Sequence, residues 1–244
     1  MQLNDFSNQL DVLLNSYAVG GTFENANYPG TIKLDEYEKS MLLTKSQDDI
    51  VIELYSGRNS IGTSFEETEE MRRYLSILVM EANLEPITTS SNTPLGIDSS
   101  SKFFTLPPDL WFITYESVQV SDGKCENSTP MSVYPVTQDE YHKIKKNPFR
   151  GANSRRALRL DLSDGIVEIV SKFTVTNYYI RYLRKLKPII LINLGAEQTI
   201  KGESKVSECE LPEILHQRIL DRAVQLALQS RGIGITSQPT QRRE

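Results

Sequence analysis

Three strand-length runs follow one another so closely in the second half of the chain that few folds can hold them. Residues 157–162 (ALRLDL), 166–173 (IVEIVSKF) and 177–186 (NYYIRYLRKL) carry the β-branched and aromatic side chains that suit a pleated, half-buried surface. Ser163-Asp164-Gly165 turns the first run into the second, and residues 174–176 lead to the third. Parallel pairing needs a crossover of roughly a dozen residues or more, so turns this short predict an antiparallel meander. Lys187-Pro188 stops the third run, and residues 189–194 are a candidate continuation of the sheet before a polar loop.

Helices flank this region. Leu3, Phe6, Leu10, Leu13, Leu14 and Tyr17 recur at helical spacing until Gly20-Gly21. Residues 34–56 contain no Gly or Pro and start with acids, which favours one long helix; residues 50–55 alone also fit a strand. Ser64 with Glu67 matches a capping box and predicts a helix over 65–80 with the stripe Met71, Tyr74, Leu75 and Leu78. After Glu85-Pro86 comes a Ser/Thr-rich loop or thin hairpin. Residues 110–115 then alternate, with Trp111, Ile113 and Tyr115 opposite Phe112, Thr114 and Glu116. A second strand over 117–120 precedes the turn dipeptide Asp122-Gly123. Thr137 and Glu140 open another boxed helix. Leu211, Leu215, Ile219, Ala223 and Leu226 line a last helix, with Pro212 in its first turn. The expected organisation is a helical region over 1–85 and an antiparallel β region over 86–200, with a short helix near 137–146. A C-terminal helix over 205–231 and a flexible tail over 232–244 complete an α+β chain.

Charge separates these regions. Residues 1–140 hold eight basic and twenty-two acidic side chains, a balance of −14. Residues 141–187 hold twelve basic against three acidic, a balance of +9, and the remainder is neutral at seven against seven. The net charge of −5 therefore hides a strongly dipolar chain that can attract copies of itself, an acidic partner or nucleic acid. No apolar run approaches the roughly 20 residues of a membrane span. MQLNDFSNQL has no basic segment leading into an apolar one, so neither export nor a membrane is expected. Cys125 and Cys209 match no ligand spacing and read as reduced thiols.

Motifs that carry chemistry are missing: there is no phosphate-cradling Gly-rich loop, no nucleophile elbow and no H-E-x-x-H. His142 sits among lysines and His216 beside Arg218 and Arg222, so packing or surface roles are expected of both. The acids at 66–70 read as a solvated or partner-facing helix surface, with no second ligand set beside them. No enzymatic activity, cofactor or metal is therefore expected. Lys143, Lys145, Lys146, Arg150, Arg155, Arg156 and Arg159 lie within seventeen residues, around a Pro-Phe-Arg-Gly turn. Arg181, Arg184, Lys185 and Lys187 follow, with Tyr178, Tyr179 and Tyr182 interleaved. Such a pattern suits a phosphate-tracking surface with stacking platforms, or a protein interface. The acidic total favours the interface.

YPVTQDEYHKIKKNPFRGANSRRALRLDL, TNYYIRYLRKLKPIIL and CELPEILHQRILDRAVQLAL, with LDEYEKSMLLTKSQDDIVIELYSG and SFEETEEMRRYL upstream, resemble the neck (head-to-tail connector) ring proteins of crAss-like bacteriophages. The resemblance covers most of the chain in the same order and leaves out residues 88–126 and the tail. It implies a structural virion protein, made in the host cytoplasm and placed in the neck between capsid and tail. There a ring of about twelve copies would sit below the portal, meet portal and adjacent neck or tail proteins, and extend the channel for genomic DNA. Subunit or portal contacts are expected at Arg150, Arg155, Arg156, Arg159, Arg181 and Arg184 on one side and Glu66, Glu67, Glu69 and Glu70 on the other. The alternative is a nucleic-acid-binding accessory protein that uses residues 141–187.

Overall fold

The computed structural model describes residues 3–20, 33–58, 62, 64–87, 96–98, 100–121, 129–195 and 197–231. Its helices are α1 (Leu3–Gly20), α2 (Glu36–Ser56), α3 (Glu69–Leu75), α4 (Gln138–Ile144) and α5 (His216–Ser230). Its strands are β1 (Val79–Leu84), β2 (Lys102–Thr105), β3 (Leu110–Ser121), β4 (Thr129–Pro135), β5 (Arg156–Asp161), β6 (Ile166–Val170) and β7 (Thr174–Arg184). The α+β class read from the sequence holds. The chain forms two compact units, residues 1–77 with 186–244 and residues 78–185. The Asp122-Gly123 turn, most of the Ser/Thr-rich loop, Cys125 and the tail after Arg231 lie outside the described residues.

In the helical unit, α5 packs against both α1 and α2. Phe6, Leu10 and Leu14 on α1 are fully buried, as are Ile219, Leu220 and Ala223 on α5. Helix α2 starts with a closed capping box: Asp35 accepts from the Tyr37 and Glu38 amides, and Glu38 accepts from the Asp35 amide. It runs unbroken through residues 50–55, so the strand alternative there falls. Gly57 ends it at φ 73°, where a Cβ would come within 3.1 Å of the Ser64 nitrogen. Lys39, 4% exposed, reaches Asp11 at 2.7 Å and Glu36 at 2.8 Å. Burial disfavours its charge, but the hydrogen bonds to both carboxylates outweigh that and hold its pKa above the ordinary value.

One face of α2 is buried although it is polar. Ser40, Thr44 and Gln47 are at most 4% exposed and lie at helical spacing. They serve the backbone of the extended segment 187–191. The Ile189 amide donates to Thr44 Oγ1 at 3.0 Å, the Leu191 amide donates to Ser40 Oγ at 3.1 Å, and Gln47 Nε2 donates to the Lys187 carbonyl at 2.9 Å. On its other edge, Ile190 exchanges two backbone bonds with Ser207, at 3.0 and 3.1 Å. Residues 189–194 therefore do not extend the sheet. Every buried N–H needs a partner, and here helix side chains and one distant loop supply them.

The second unit is one seven-stranded sheet in the order β1-β7-β3-β4-β5-β6-β2. The helix predicted over 65–80 is shorter than that. Ser64–Glu67 closes only a turn, Thr68 caps α3, and a 3-10 turn over Ser76–Leu78 leads into β1. Pairing with β7 makes Val79–Leu84 a strand despite its helix-compatible composition. The predicted strands near 157, 166 and 177 appear as β5, β6 and β7, and Asp164 (φ 58°) with Gly165 (φ 69°) turns the first into the second. They are not a meander, because β6 pairs with β5 and β2 while β7 pairs with β1 and β3. The sheet is mixed rather than purely antiparallel: β4 and β5 run parallel across the crossover that contains α4.

The short link between β6 and β7 dictates the shape of this sheet. From Val170 to Thr174 the chain spans at most about 14 Å. Four strand spacings in a flat sheet amount to roughly 19 Å. The sheet must curl, and residues from all seven strands then share one interior around Phe104, Val118, Met131, Ala157, Val167 and Ile180, with Ala82 and Leu84 of β1 packed against it. At one end the Ile87 amide, just beyond β1, donates to the Phe103 carbonyl of β2 at 2.8 Å. Outside, α4 covers β5 and β6 through Tyr141, Ile144, Leu158, Leu160 and Val170.

Thr44→Val keeps the shape but leaves the Ile189 amide buried and unpaired. Urea unfolding should show a loss of about 1–3 kcal/mol, against roughly nothing for the half-exposed Met41→Ala. Alkaline pH provides a second test. Burial, followed by the Asp98 carboxylate, raises the Tyr141 pKa from 10.0 to about 12, and burial raises Cys209 from 9.0 to about 11. The folded chain holds both protons more tightly than the unfolded chain does. Their stabilisation is complete below pH 9.0 and is lost as pH rises through about 11 and 12. The urea midpoint should fall between pH 8 and 10.5, and Tyr141→Phe with Cys209→Ser should lessen that fall, the buried Tyr178, whose pKa is also raised, supplying part of what remains.

Candidate assembly surfaces

The sequence-predicted cations do not form one surface. Arg159 points into the sheet interior at 9% exposure. Its Nη1 donates to Glu116 Oε2 at 2.8 Å, and the Tyr178 hydroxyl donates to the same oxygen at 2.6 Å. Its Nε lies 2.9 Å from Asp161 Oδ1 as an ion-pair contact without hydrogen-bond alignment. Burial opposes the arginine's charge, but Glu116 and Asp161 more than offset this and raise its pKa. Burial and then Glu116 drive Tyr178 far above the ordinary tyrosine range. Tyr182 is also buried, so of the three interleaved tyrosines only Tyr179 faces outward.

Arg150, Arg155 and Arg156 do come together, in the loop that returns from α4 to β5. Arg150 and Arg155 are exposed and have no ion-pair partner among the described residues. Arg156 stacks over the Tyr134 ring at 4.1 Å and donates to the Phe149 carbonyl at 3.0 Å. Lys143, Lys145 and Lys146 are exposed nearby, so this side of the unit is strongly positive.

Arg181 lies elsewhere, on the outer face of β1, β7 and β3. It pairs with Glu81 at 2.8 Å, donates to the Tyr179 hydroxyl at 3.0 Å, and lies about 6 Å from the Tyr115 and Tyr179 rings. Arg184 closes β7 with a 3.3 Å bond to the Lys185 carbonyl. In the helical unit, Glu66, Glu67, Glu69 and Glu70 are all exposed at the start of α3. Glu67 accepts from the Ser64 amide, Glu69 pairs with Arg73 at 2.8 Å, and Glu70 accepts from the Tyr74 hydroxyl.

Sequence reasoning missed Tyr115, Tyr134 and Phe149, which are 53%, 45% and 83% exposed. The Pro-Phe-Arg-Gly turn was the available signal for Phe149, since an aromatic in a polar turn has no stripe to join.

His142 is exposed, and His216 is packed against Phe6 with its Nε2 2.9 Å from the Leu211 carbonyl. Among the described residues no group of three or more His, Cys, Asp or Glu is placed to hold a metal. A cavity of about 390 Å³ beside α4 is lined by Asp98, Ser100, Tyr141, Lys145, Lys146 and Lys172. Its carboxylate is already engaged: the Ser100 amide and hydroxyl and the Tyr141 hydroxyl donate to Asp98 and lower its pKa. No helix of the described residues is long and apolar enough to cross a membrane.

Exposed charge and aromatics on strands and hydrogen-bonded loops are features suited to protein contacts. The chain belongs to the family described as phage tail ring protein 3/4, which matches residues 1–239. It is 44% identical over 236 residues to "Ring protein 3" of Bacteroides phage crAss001, covering 95% of this chain and 96% of that protein. It is 34% identical over 236 residues to "Ring protein 4/5" of the same phage, covering 93% and 92%. The resemblance read from the sequence motifs is thereby confirmed, and membership makes this a structural ring component of a bacteriophage virion.

Removing one partner of the buried pair leaves the other charge uncompensated. Arg159→Ala should destabilise by about 3–5 kcal/mol in denaturant titration. Arg155→Ala, on the exposed loop, should stay within about 0.5 kcal/mol of wild type.

Proposed function

We propose that copies of this chain close into a ring of about twelve in the neck, below the portal, and extend the channel through which genomic DNA leaves. A cyclic ring requires a heterologous contact, in which one patch of each copy meets a different patch of the next. The observation that carries this reading is the separation of exposed charge of opposite sign. Arg150 and Arg155 stand exposed without ion-pair partners among the described residues, and Glu66, Glu67, Glu69 and Glu70 crowd one exposed turn and helix start. Opposite charge on two patches of one chain sets register and rejects wrong partners. Arg156 belongs to the basic patch as its stacked, pre-oriented member. Arg159 acts from the interior, by fixing the strand that carries that patch. Arg181, on the outer face of β1, β7 and β3, and Arg184, at the end of β7, are the candidates for contact with the portal or an adjacent ring.

Particle mass of the purified full chain tests this at low and moderate salt. The wild type should form one large closed species that weakens as salt screens its contacts. Arg150→Glu with Arg155→Glu should stop assembly while leaving the unfolding midpoint unchanged. A double variant that builds the same particles as wild type would defeat the charge-matching contact.

A further inference from the structure

The basic loop carries more than charge. Phe149 is 83% exposed, the most exposed large apolar side chain described, and the loop around it is tightly fastened. Asn147 Oδ1 accepts from the Phe149 amide at 2.9 Å and from the Arg150 amide at 3.2 Å. The Gly151 amide donates to the Asn147 carbonyl at 2.8 Å. Arg156 Nη1 grips the Phe149 carbonyl, and Asn153 Nδ2 donates to the Pro148 carbonyl at 3.3 Å. A Cβ at Gly151 would sit 2.8 Å from the carbonyl oxygens of both Ile144 and Asn147, so only glycine fits this turn. Pro148 fixes one more torsion. An apolar ring held outward by a rigid loop is costly to leave in water and cheap to order on binding.

Its natural counterpart is present on the same chain. On α3 and the turn after it, Glu70, Tyr74 and Ile77 fall at i, i+4 and i+7, on one face. Tyr74 is half-buried with its hydroxyl on Glu70, and Ile77 is 53% exposed. Glu66, Glu67 and Glu69 stand beside them. An apolar spot whose surroundings carry four glutamates against two arginines, Arg72 and Arg73, is acidic on balance and matches an apolar ring collared by Arg150, Arg155, Lys145 and Lys146. Val12 and Ile214 are also exposed apolar residues, but neither stands beside a run of four glutamates.

We infer that the 147–156 loop is a preformed knob whose Phe149 ring seats on the Tyr74–Ile77 face of α3 in the next copy, while its arginines meet the α3 glutamates. This contact deepens the ring reading and rests on it. Aromatic and arginine side chains in such positions dominate the energy of protein interfaces.

The test uses full-length chains and particle mass. Phe149→Ala should keep the unfolding midpoint of wild type and weaken assembly by about 30-fold or more, with Phe149→Leu intermediate. Two charge-swapped chains, one Arg150→Glu/Arg155→Glu and the other Glu66→Lys/Glu70→Lys, should each stay unassembled alone. Mixed in equal amounts they should form alternating rings, because each altered knob then meets an altered face. Phe149→Ala assembling as wild type, or a mixture no better than its components, overturns the knob and leaves the ring intact. A wild-type chain that stays monomeric at every salt and concentration overturns the ring reading, and this contact with it.

Discussion

A guanidinium inside a curled sheet must have a partner, and the sheet unit is arranged around that requirement. Arg159 on β5 and Glu116 on β3 are separated by β4, yet they meet at 2.8 Å with Tyr178 of β7 on the same carboxylate oxygen. In a flat sheet two strand spacings are roughly 9.6 Å, and side chains on one face would stand parallel. Curvature turns them toward one another. The link of three residues from β6 to β7 demands the same curvature, so the pair and the link enforce a single geometry by different means. Replacing such a group by apolar atoms is often harmless, whereas stranding one charge is not, which ties both residues to each other.

The elements whose signals are local were legible in the sequence. Thr137 accepts from the Glu140 amide at the start of α4, as its spacing implied, and the Asp164-Gly165 turn has the backbone its residues favour. Pairing partners were not legible, because alternation reports which residues share a face and says nothing about which strand lies alongside. The apolar period through Met71, Leu75 and Leu78 continues smoothly into the 3-10 turn, so nothing local announces that Val79 begins a strand. Only the free edge of β7 decides that. The short β6–β7 link read as a hairpin because a hairpin is its meaning in a flat sheet.

The polar face of α2 was hidden for a related reason. Ser40, Thr44 and Gln47 look like solvent-facing positions on a helix, and burial reverses that reading only because segment 187–191 brings unpaired backbone to them. Pro188 is the clue: lacking an N–H, it keeps the chain beyond β7 out of the sheet, as an extended piece bridged on one edge only by Ile190 and Ser207. A helix that replaces a neighbouring strand as hydrogen-bond partner needs short polar side chains at helical spacing, which is the pattern present.

A run of basic residues is not yet a basic surface, and the difference matters for assembly. Of the six arginines singled out, Arg159 is paired in the interior, Arg181 is paired with Glu81, Arg156 is stacked on Tyr134 and Arg184 bonds the Lys185 carbonyl, leaving Arg150 and Arg155 as exposed charges without ion-pair partners among the described residues. Exposed ion pairs contribute only about 0–1 kcal/mol each. Two or three of them can set the register of a contact but contribute too little to hold it closed by themselves. In the proposed contact, strength comes from desolvated apolar surface, and the exposed Phe149 ring adjoins Arg150 in the same loop. The β4–α4–β5 crossover places both on one stiff loop, so in the proposed contact the residue that selects and the residue that anchors arrive together. In that reading, charge gives the contact its specificity and the apolar ring its firmness.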